Sequence, residues 1–136
     1  RLSANSVTNG FSTGPTTAIT APTVTVDTLV PTVALTGPGL RASSRTLTYT
    51  ATFSEVISGA ETADLVQSAG TASCATTTLS ASTGSTITFT VTCFTDGTVQ
   101  MRLLAGSVTD GANAGPVLAV TTGTTTVDET PPVATV

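Results

Sequence analysis

Residues 1–35 of this chain repeat residues 102–136 at a constant offset of 101 positions, with sixteen of the thirty-five aligned positions identical and no gap. The identities include three pairs of adjacent residues: Arg1-Leu2 with Arg102-Leu103, Gly14-Pro15 with Gly115-Pro116, and Val26-Asp27 with Val127-Asp128. A fixed period is the signature of a repeat protein. We therefore predict the C-terminal part of one repeat at 1–26, a complete repeat at 27–127, and a junction with the start of a following repeat at 128–136.

The complete repeat is long enough to bury its own core and has the sequence pattern of an all-β domain. Segments 46–53 and 86–93 alternate Thr with apolar residues at a period of two, which is typical of strands with one buried face. We expect their apolar residues to be buried, together with three from a strand after Asp96-Gly97: Leu47, Tyr49, Phe53, Ile87, Phe89, Val91, Val99, Met101 and Leu103. Further candidate strands are Thr32–Thr36, Asp64–Ser68 and a closing strand at Val117–Val127. No segment of ten residues has helical periodicity, so we predict an antiparallel β-sandwich of about seven strands.

Two cysteines, Cys74 and Cys93, are the only thiols. A hairpin that turns at Thr83-Gly84 places them opposite each other, as a disulfide requires. In that register Leu79 falls on the wrong face, so we also expect a bulge within 74–82. Asp96-Gly97 predicts a second hairpin turn. A Thr-rich, Lys-free chain with a paired thiol indicates an extracellular protein; two buried free thiols are the alternative.

The composition excludes several classes of function. The chain has no His and no Lys, so neither a Ser-His-Asp, a Cys-His nor a Ser-Lys arrangement can be assembled, and we predict that the protein is not an enzyme. Its net charge of −4 argues against nucleic acid and anionic membranes as partners, and no apolar run is long enough for a membrane helix. The chain has too few aromatic residues outside the expected core to indicate a glycan-binding surface.

Several phrases of the sequence, in order, resemble the bacterial Ig-like repeats that occur in tandem in large secreted and cell-surface proteins. They are the junction Val127-Asp128-Glu129-Thr130-Pro131-Pro132, the strand end Phe53-Ser54-Glu55-Val56-Ile57-Ser58-Gly59, Ala63-Asp64-Leu65, and the late loop Val108-Thr109-Asp110-Gly111-Ala112-Asn113. The resemblance covers 27–136, with 1–26 as the tail of a preceding copy. It implies an immunoglobulin-like sandwich that serves as a stalk, spacer or building block of adhesins, matrix proteins or filaments.

The same resemblance suggests calcium as the one plausible cofactor. Related repeats place acidic residues of the junction and the late loop near each other at domain boundaries, and the oxygen ligands that match here are Asp27, Glu55, Asp110, Asn113 and Asp128. Against calcium, the preceding copy has Asn9 in place of Asp110. The alternative is that Asp110 and Asn113 only cap a turn and that the junction aspartates are solvated.

Two functions remain open. In the first, the chain is a structural module whose partners are adjacent repeats. In the second, it is a self-assembling filament subunit: residues 16–26 copy the closing strand 117–127 and could complete a sheet of a neighbouring subunit. The residues that would carry this assembly strand are Thr16, Ile19, Val24 and Val26.

Overall fold

The computed structural model describes residues 1–134, and they form thirteen β-strands, one 3-10 turn at Thr62–Asp64 and no α-helix. The strands are β1 (Val7–Thr8), β2 (Thr13–Gly14), β3 (Val33–Thr36), β4 (Arg41–Ala42), β5 (Thr46–Ser58), β6 (Leu65–Gly70), β7 (Cys74–Leu79), β8 (Thr83–Cys93), β9 (Gly97–Leu103), β10 (Val108–Thr109), β11 (Ala114–Gly115), β12 (Val120–Thr121) and β13 (Thr125–Val127). The all-β class is therefore confirmed.

Two sheets enclose the core of the complete repeat. In the first, β8 pairs with both β5 and β7, while β3 and β10 pair with β5, and β11 pairs with β10. In the second, β6, β12 and β13 all pair with β9, and β4 pairs with β13. Every pairing is antiparallel except the short one between β13 and β4. This arrangement agrees with the predicted β-sandwich.

Alternation along the strands decides which side chains enter the core. All nine residues expected to be buried are buried, from Phe53 at 5% exposed to Tyr49 at 0%. Their Thr neighbours on β5 and β8 face outward and lie opposite one another in four cross-strand pairs, Thr46 with Thr92, Thr48 with Thr90, Thr50 with Thr88 and Thr52 with Thr86. Thr suits this outer face because its branched Cβ favours extended backbone while its hydroxyl stays hydrated.

The disulfide forms between neighbouring strands of the first sheet. Cys74 on β7 lies directly opposite Cys93 on β8, and their sulfurs are bonded. The register then shifts between Thr76 and Thr78, which is the bulge expected in this arm, and Leu79 moves opposite Phe89 and packs against the core. The predicted turn at Thr83-Gly84 is wrong, because β8 already begins at Thr83 and pairs with the end of β5 there.

The predicted hairpin at Asp96-Gly97 is also wrong. Residues 94–96 connect β8 in the first sheet to β9 in the second, so the two strands are not neighbours. Gly97 is needed for a different reason: a Cβ there would lie 2.6 Å from Thr71 Oγ1 and 2.8 Å from the Ala72 nitrogen. A Gly after Asp thus marks a crossing between sheets here, where the local sequence favours a turn.

The predicted closing strand Val117–Val127 is divided into β12 and β13. Between them Thr122 is buried, accepts a hydrogen bond from the Met101 nitrogen through its hydroxyl oxygen (3.1 Å), and donates its own backbone N–H to the Met101 carbonyl (2.9 Å). Both halves still pair with β9. The segment closes the second sheet as expected, with one interruption.

Residues 1–26 fold as a small unit with its own hydrogen bonds. β1 pairs with β2, and Leu2 forms an isolated antiparallel bridge with Ile19. The registers equal those of the complete repeat 101 positions later: Val7 lies opposite Gly14 as Val108 lies opposite Gly115, and the Leu2–Ile19 bridge corresponds to the pairing of Leu103 with Val120.

Candidate functional site

Three carboxylates meet at the end of the complete repeat where the chain enters it. Asp27 belongs to the junction, Glu55 to the last part of β5, and Asp110 to the loop that follows β10. One carboxylate oxygen from each lies within 4.8 Å of the others. They come together because β10 pairs with β5 at Ser58, which brings the late loop beside the end of β5.

The late loop is shaped by the Asp110 side chain. Its Oδ1 accepts hydrogen bonds from the backbone nitrogens of Ala112 (2.6 Å) and Asn113 (2.7 Å), the side-chain-capped turn that Asp commonly forms. The Asn113 amide nitrogen donates to the carbonyl oxygens of Leu29 (2.7 Å) and Asp27 (3.3 Å), and to Asp110 Oδ2 (3.2 Å). Asn113 therefore fastens the junction to the loop.

The Glu55 carboxylate is affected by the charges of its two acidic neighbours. Desolvation raises the pKa of Glu55, and the neighbouring negative charges of Asp110 and then Asp27 raise it further. The pKa of Asp110 is lowered, chiefly by the backbone N–H of Asn113 and then that of Ala112, which stabilise its charged form. A cation at this position would relieve the repulsion that Glu55 experiences.

The donor set suits a hard divalent cation. Calcium takes six to eight oxygen ligands, with carboxylates binding through one or both oxygens, and Asp27, Glu55 and Asp110 supply three carboxylates. Asn113 reaches the cluster through its NH2 group, which cannot ligate a cation, so its place in the expected ligand set is wrong and its role is to position the others. Asp128 lies outside this group of three carboxylates, and its Oδ1 accepts a hydrogen bond from the Thr130 nitrogen (3.1 Å).

A second polar cluster lies where the chain leaves the complete repeat. Arg45, immediately before β5, places its Nε 3.1 Å from Asp96 Oδ1 and 3.5 Å from Glu129 Oε2. Asp96 also accepts a hydrogen bond from the Thr130 hydroxyl (2.8 Å) and a longer one from the Glu129 nitrogen (3.4 Å). The hydrogen bond from Thr130, followed by that from Arg45, lowers the pKa of Asp96.

This second cluster was not expected from the sequence, although one signal was present. The chain has only four basic residues, so an Arg next to a strand end is informative. The pairing of Thr46 with Thr92 places Arg45 beside Cys93, to which its carbonyl is hydrogen-bonded (2.8 Å), and hence next to the connection that carries Asp96.

The expected assembly strand is accessible. Val24 is 77% exposed and Val26 80%, Ile19 is 57% exposed, and Thr16 is exposed as well. Residues 21–32 form no strand. The side chains that would contact a partner are therefore free of contacts that would bury them.

Comparison with known protein families, curated proteins and solved structures finds no match. Within residues 1–134, no helix is long and apolar enough to cross a membrane.

Proposed function

We propose that the chain is part of a tandem array of immunoglobulin-like repeats of the bacterial type, a non-catalytic stalk or spacer of an extracellular surface protein, adhesin or matrix assembly. The observation that carries the proposal is the repetition of structure as well as sequence. The loop of the first copy is held by the same bonds as the loop of the second: Asn9 Oδ1 accepts from the nitrogens of Phe11 (3.0 Å) and Ser12 (2.9 Å), as Asp110 does in its own loop.

The path of the chain supports a head-to-tail array. The incoming junction contacts the far end of β5, near Glu55, and the outgoing junction contacts Arg45 at its start. At a rise of about 3.3 Å per residue, the ten steps from Arg45 to Glu55 extend about 33 Å. Entry and exit therefore lie at opposite ends of the repeat, which is the geometry of modules joined in a line.

The chemistry of the chain supports a location outside the cell and a passive role. The Cys74–Cys93 disulfide persists in oxidising compartments. No His or Lys is present for the common forms of nucleophilic catalysis. The proposal is tested by recovering the native protein with an antibody against this chain and mapping its tryptic peptides. We expect further peptides at the 101-residue period; a mature protein of only these 136 residues would contradict the proposal.

The carboxylate cluster supports a second proposal, that calcium binds where a junction enters its repeat. Asp27 links the ion to the junction and Glu55 and Asp110 link it to the domain, so binding would fasten one to the other. Calcium sites of extracellular modules have dissociation constants of about 10⁻⁴ to 10⁻³ M.

Calcium binding is tested by thermal unfolding at increasing calcium concentration. A ligand that binds only the folded state raises Tm with concentration, and we expect this increase in the wild type and in Asp128→Asn, but not in Asp110→Asn. An equal increase in all three proteins, or with magnesium in place of calcium, would contradict the assignment of the site.

The alternative function, a filament subunit that donates 16–26 to a neighbour, is supported by the exposure of Val24 and Val26. It faces one obstacle: the position that 24–26 would occupy is filled by β13 of the same chain, where Val127 is 1% exposed. Exchange therefore requires displacement of β13. Sedimentation at increasing concentration distinguishes the two functions, because strand exchange predicts growing oligomers and the stalk predicts a constant mass.

A further inference from the structure

The outgoing junction is bound to the repeat it leaves through its donor groups. The Asp128 nitrogen donates to the Ala42 carbonyl (3.0 Å), the Glu129 nitrogen to Asp96 Oδ1 (3.4 Å), and the Thr130 hydroxyl to Asp96 Oδ2 (2.8 Å). The Glu129 carboxylate adds an ion pair with Arg45.

The incoming junction is bound to the repeat it enters mainly through its carbonyl oxygens. The carbonyls of Asp27 and Leu29 accept from the Asn113 side chain. The Pro31 carbonyl lies so close to Gly115 that a Cβ there would be 2.5 Å from it. The Thr32 carbonyl accepts from the Ser54 nitrogen (3.0 Å), and the Thr32 nitrogen donates to the Ser54 hydroxyl oxygen (3.0 Å).

The two junctions are equivalent segments, 101 positions apart, and they begin with the same turn. In each, the aspartate accepts a hydrogen bond from the backbone nitrogen two residues later: Leu29 to Asp27 Oδ1 at 3.0 Å, and Thr130 to Asp128 Oδ1 at 3.1 Å. Contacts seen in one junction can therefore be placed on the other without a change of local conformation.

We infer that the junction 128–132 is held from both sides, by the Arg45–Asp96 pair of the repeat it leaves and by the Asn113 and Gly115 counterparts of a following copy. The outgoing contacts use the backbone nitrogens of residues 128 and 129 and the side chains of Glu129 and Thr130. The incoming contacts use backbone carbonyl oxygens and the nitrogen of Thr32. No atom is therefore required twice. The exit surface formed by Arg45, Asp96 and Glu129 is thus half of an interface whose partner is the entry end of another repeat. This inference rests on the proposed tandem function.

One consequence distinguishes the two junctions of this chain. Position 29 is Leu and position 28 is Thr, where the outgoing junction has Thr130 and Glu129. The junction 27–31 keeps the acceptors that the following repeat binds, but it lacks the hydroxyl and the carboxylate that the preceding repeat would bind. It is therefore the looser of the two.

The inference is tested in a tandem protein in which residues 1–132 are followed by residues 32–136, which preserves the 101-residue period. A spin label at Ser85→Cys in each repeat reports the distance between the repeats, since Ser85 is exposed and the native cysteines are bonded to each other. The sample contains EDTA, so that only the direct contacts of the junction, and not bound calcium, can restrict the distance. We expect a narrow distance distribution, which broadens about twofold when Thr130→Val or Asn113→Ala at the joint releases one side and leaves a flexible connection. Thr130→Ser keeps the hydroxyl and should leave the distribution narrow.

The outcomes separate this inference from the proposed function. If both repeats unfold cooperatively with the stability of the single repeat, but the wild-type distribution is as broad as that of Thr130→Val, the two-sided joint is wrong and the tandem module stands. If the second repeat does not fold in the tandem, the proposed function is wrong, and the inference is wrong with it.

Discussion

The first and second copies of the repeated segment share their loops but differ in their strands. In residues 1–26, Asn9 accepts the two backbone hydrogen bonds that Asp110 accepts in the second copy, yet Val24 and Val26 are 77% and 80% exposed. In residues 102–127 the equivalents, Thr125 and Val127, are 2% and 1% exposed. The loop carries its hydrogen-bond partners within a few residues of sequence, whereas the closing strand depends on β9 and β4. In this repeated segment the loop therefore forms from local contacts alone, whereas the closing strand forms only where tertiary contacts are present.

The largest expected difference between the copies comes from deleting each one. A chain that ends at Pro116 lacks β12 and β13, which leaves β9 uncovered and the core open, so we expect no cooperative unfolding transition. A chain without 1–26 should keep its Tm within about 2 °C, because that segment buries little apolar surface. Circular dichroism during heating measures both. Equal effects of the two deletions on Tm would contradict the conclusion that only the second copy is part of the folded core.

Two equivalent valines provide the next test. Val127→Ala removes buried methyl groups and leaves a cavity, which should lower the free energy of unfolding by about 2 kcal/mol. Val26→Ala, at the same position of the first copy, should change it by less than about 0.5 kcal/mol. Urea unfolding gives both values. A cost at Val26 similar to that at Val127 would show that the first copy is packed.

Two equivalent glycines differ in what surrounds them. A Cβ at Gly115 would meet the Pro31 carbonyl oxygen at 2.5 Å, whereas nothing lies within 4 Å of one at Gly14. We expect Gly115→Ala to destabilise the repeat by about 1–3 kcal/mol through overpacking, and Gly14→Ala to be neutral in the same urea experiment. If Gly115→Ala were also neutral, the junction would not be seated against the late loop.

The smallest effect concerns the one charge by which the two loops differ. Asp110→Asn gives the second loop the amide of Asn9 and removes a negative neighbour of Glu55, so the pKa of Glu55 should fall but stay above its ordinary value, since desolvation remains. The folded repeat favours protonated Glu55, so the free energy of unfolding decreases as the pH rises from the ordinary pKa of Glu55 through the raised one. In the variant this decrease should be smaller.

Carbon-13 NMR titration of the Glu55 carboxyl measures this change, with Asp128→Asn as the matched control. If the pKa of Glu55 were unchanged in Asp110→Asn, or fell equally in the control, the charge of Asp110 would not be a cause of the raised pKa of Glu55.

The features that depend on the alternation of residues along a strand were predicted correctly from the sequence. Tyr49, Phe89 and Met101 are buried as expected. In a strand with one solvent-exposed face, the alternation of polar and apolar residues determines which side chains face the core. The Cys74–Cys93 bond was expected from a hairpin between the two cysteines, and it forms although the connection lies at 80–82 and not at Thr83-Gly84. The displaced Leu79 correctly indicated a bulge.

What failed depends on tertiary structure. Asp96-Gly97 has the local chemistry of a hairpin turn, and only the assignment of β8 and β9 to different sheets shows it to be a crossing. Likewise, sequence placed Asp27, Glu55 and Asp110 in one set with Asp128, but it could not show that the two junctions lie at opposite ends of β5. Asp128 is the counterpart of Asp27 at an offset of 101 positions, and the two lie at opposite ends of residues 27–127.

Native-state hydrogen exchange followed by mass spectrometry tests the central claim, that 1–26 and 102–127 are one motif in two environments. The amides of 125–127 should exchange only through global unfolding, while those of 24–26 should exchange almost unprotected at every protein concentration. Equal protection of the two segments would contradict the account, and protection of 24–26 that grows with protein concentration would favour strand exchange between copies.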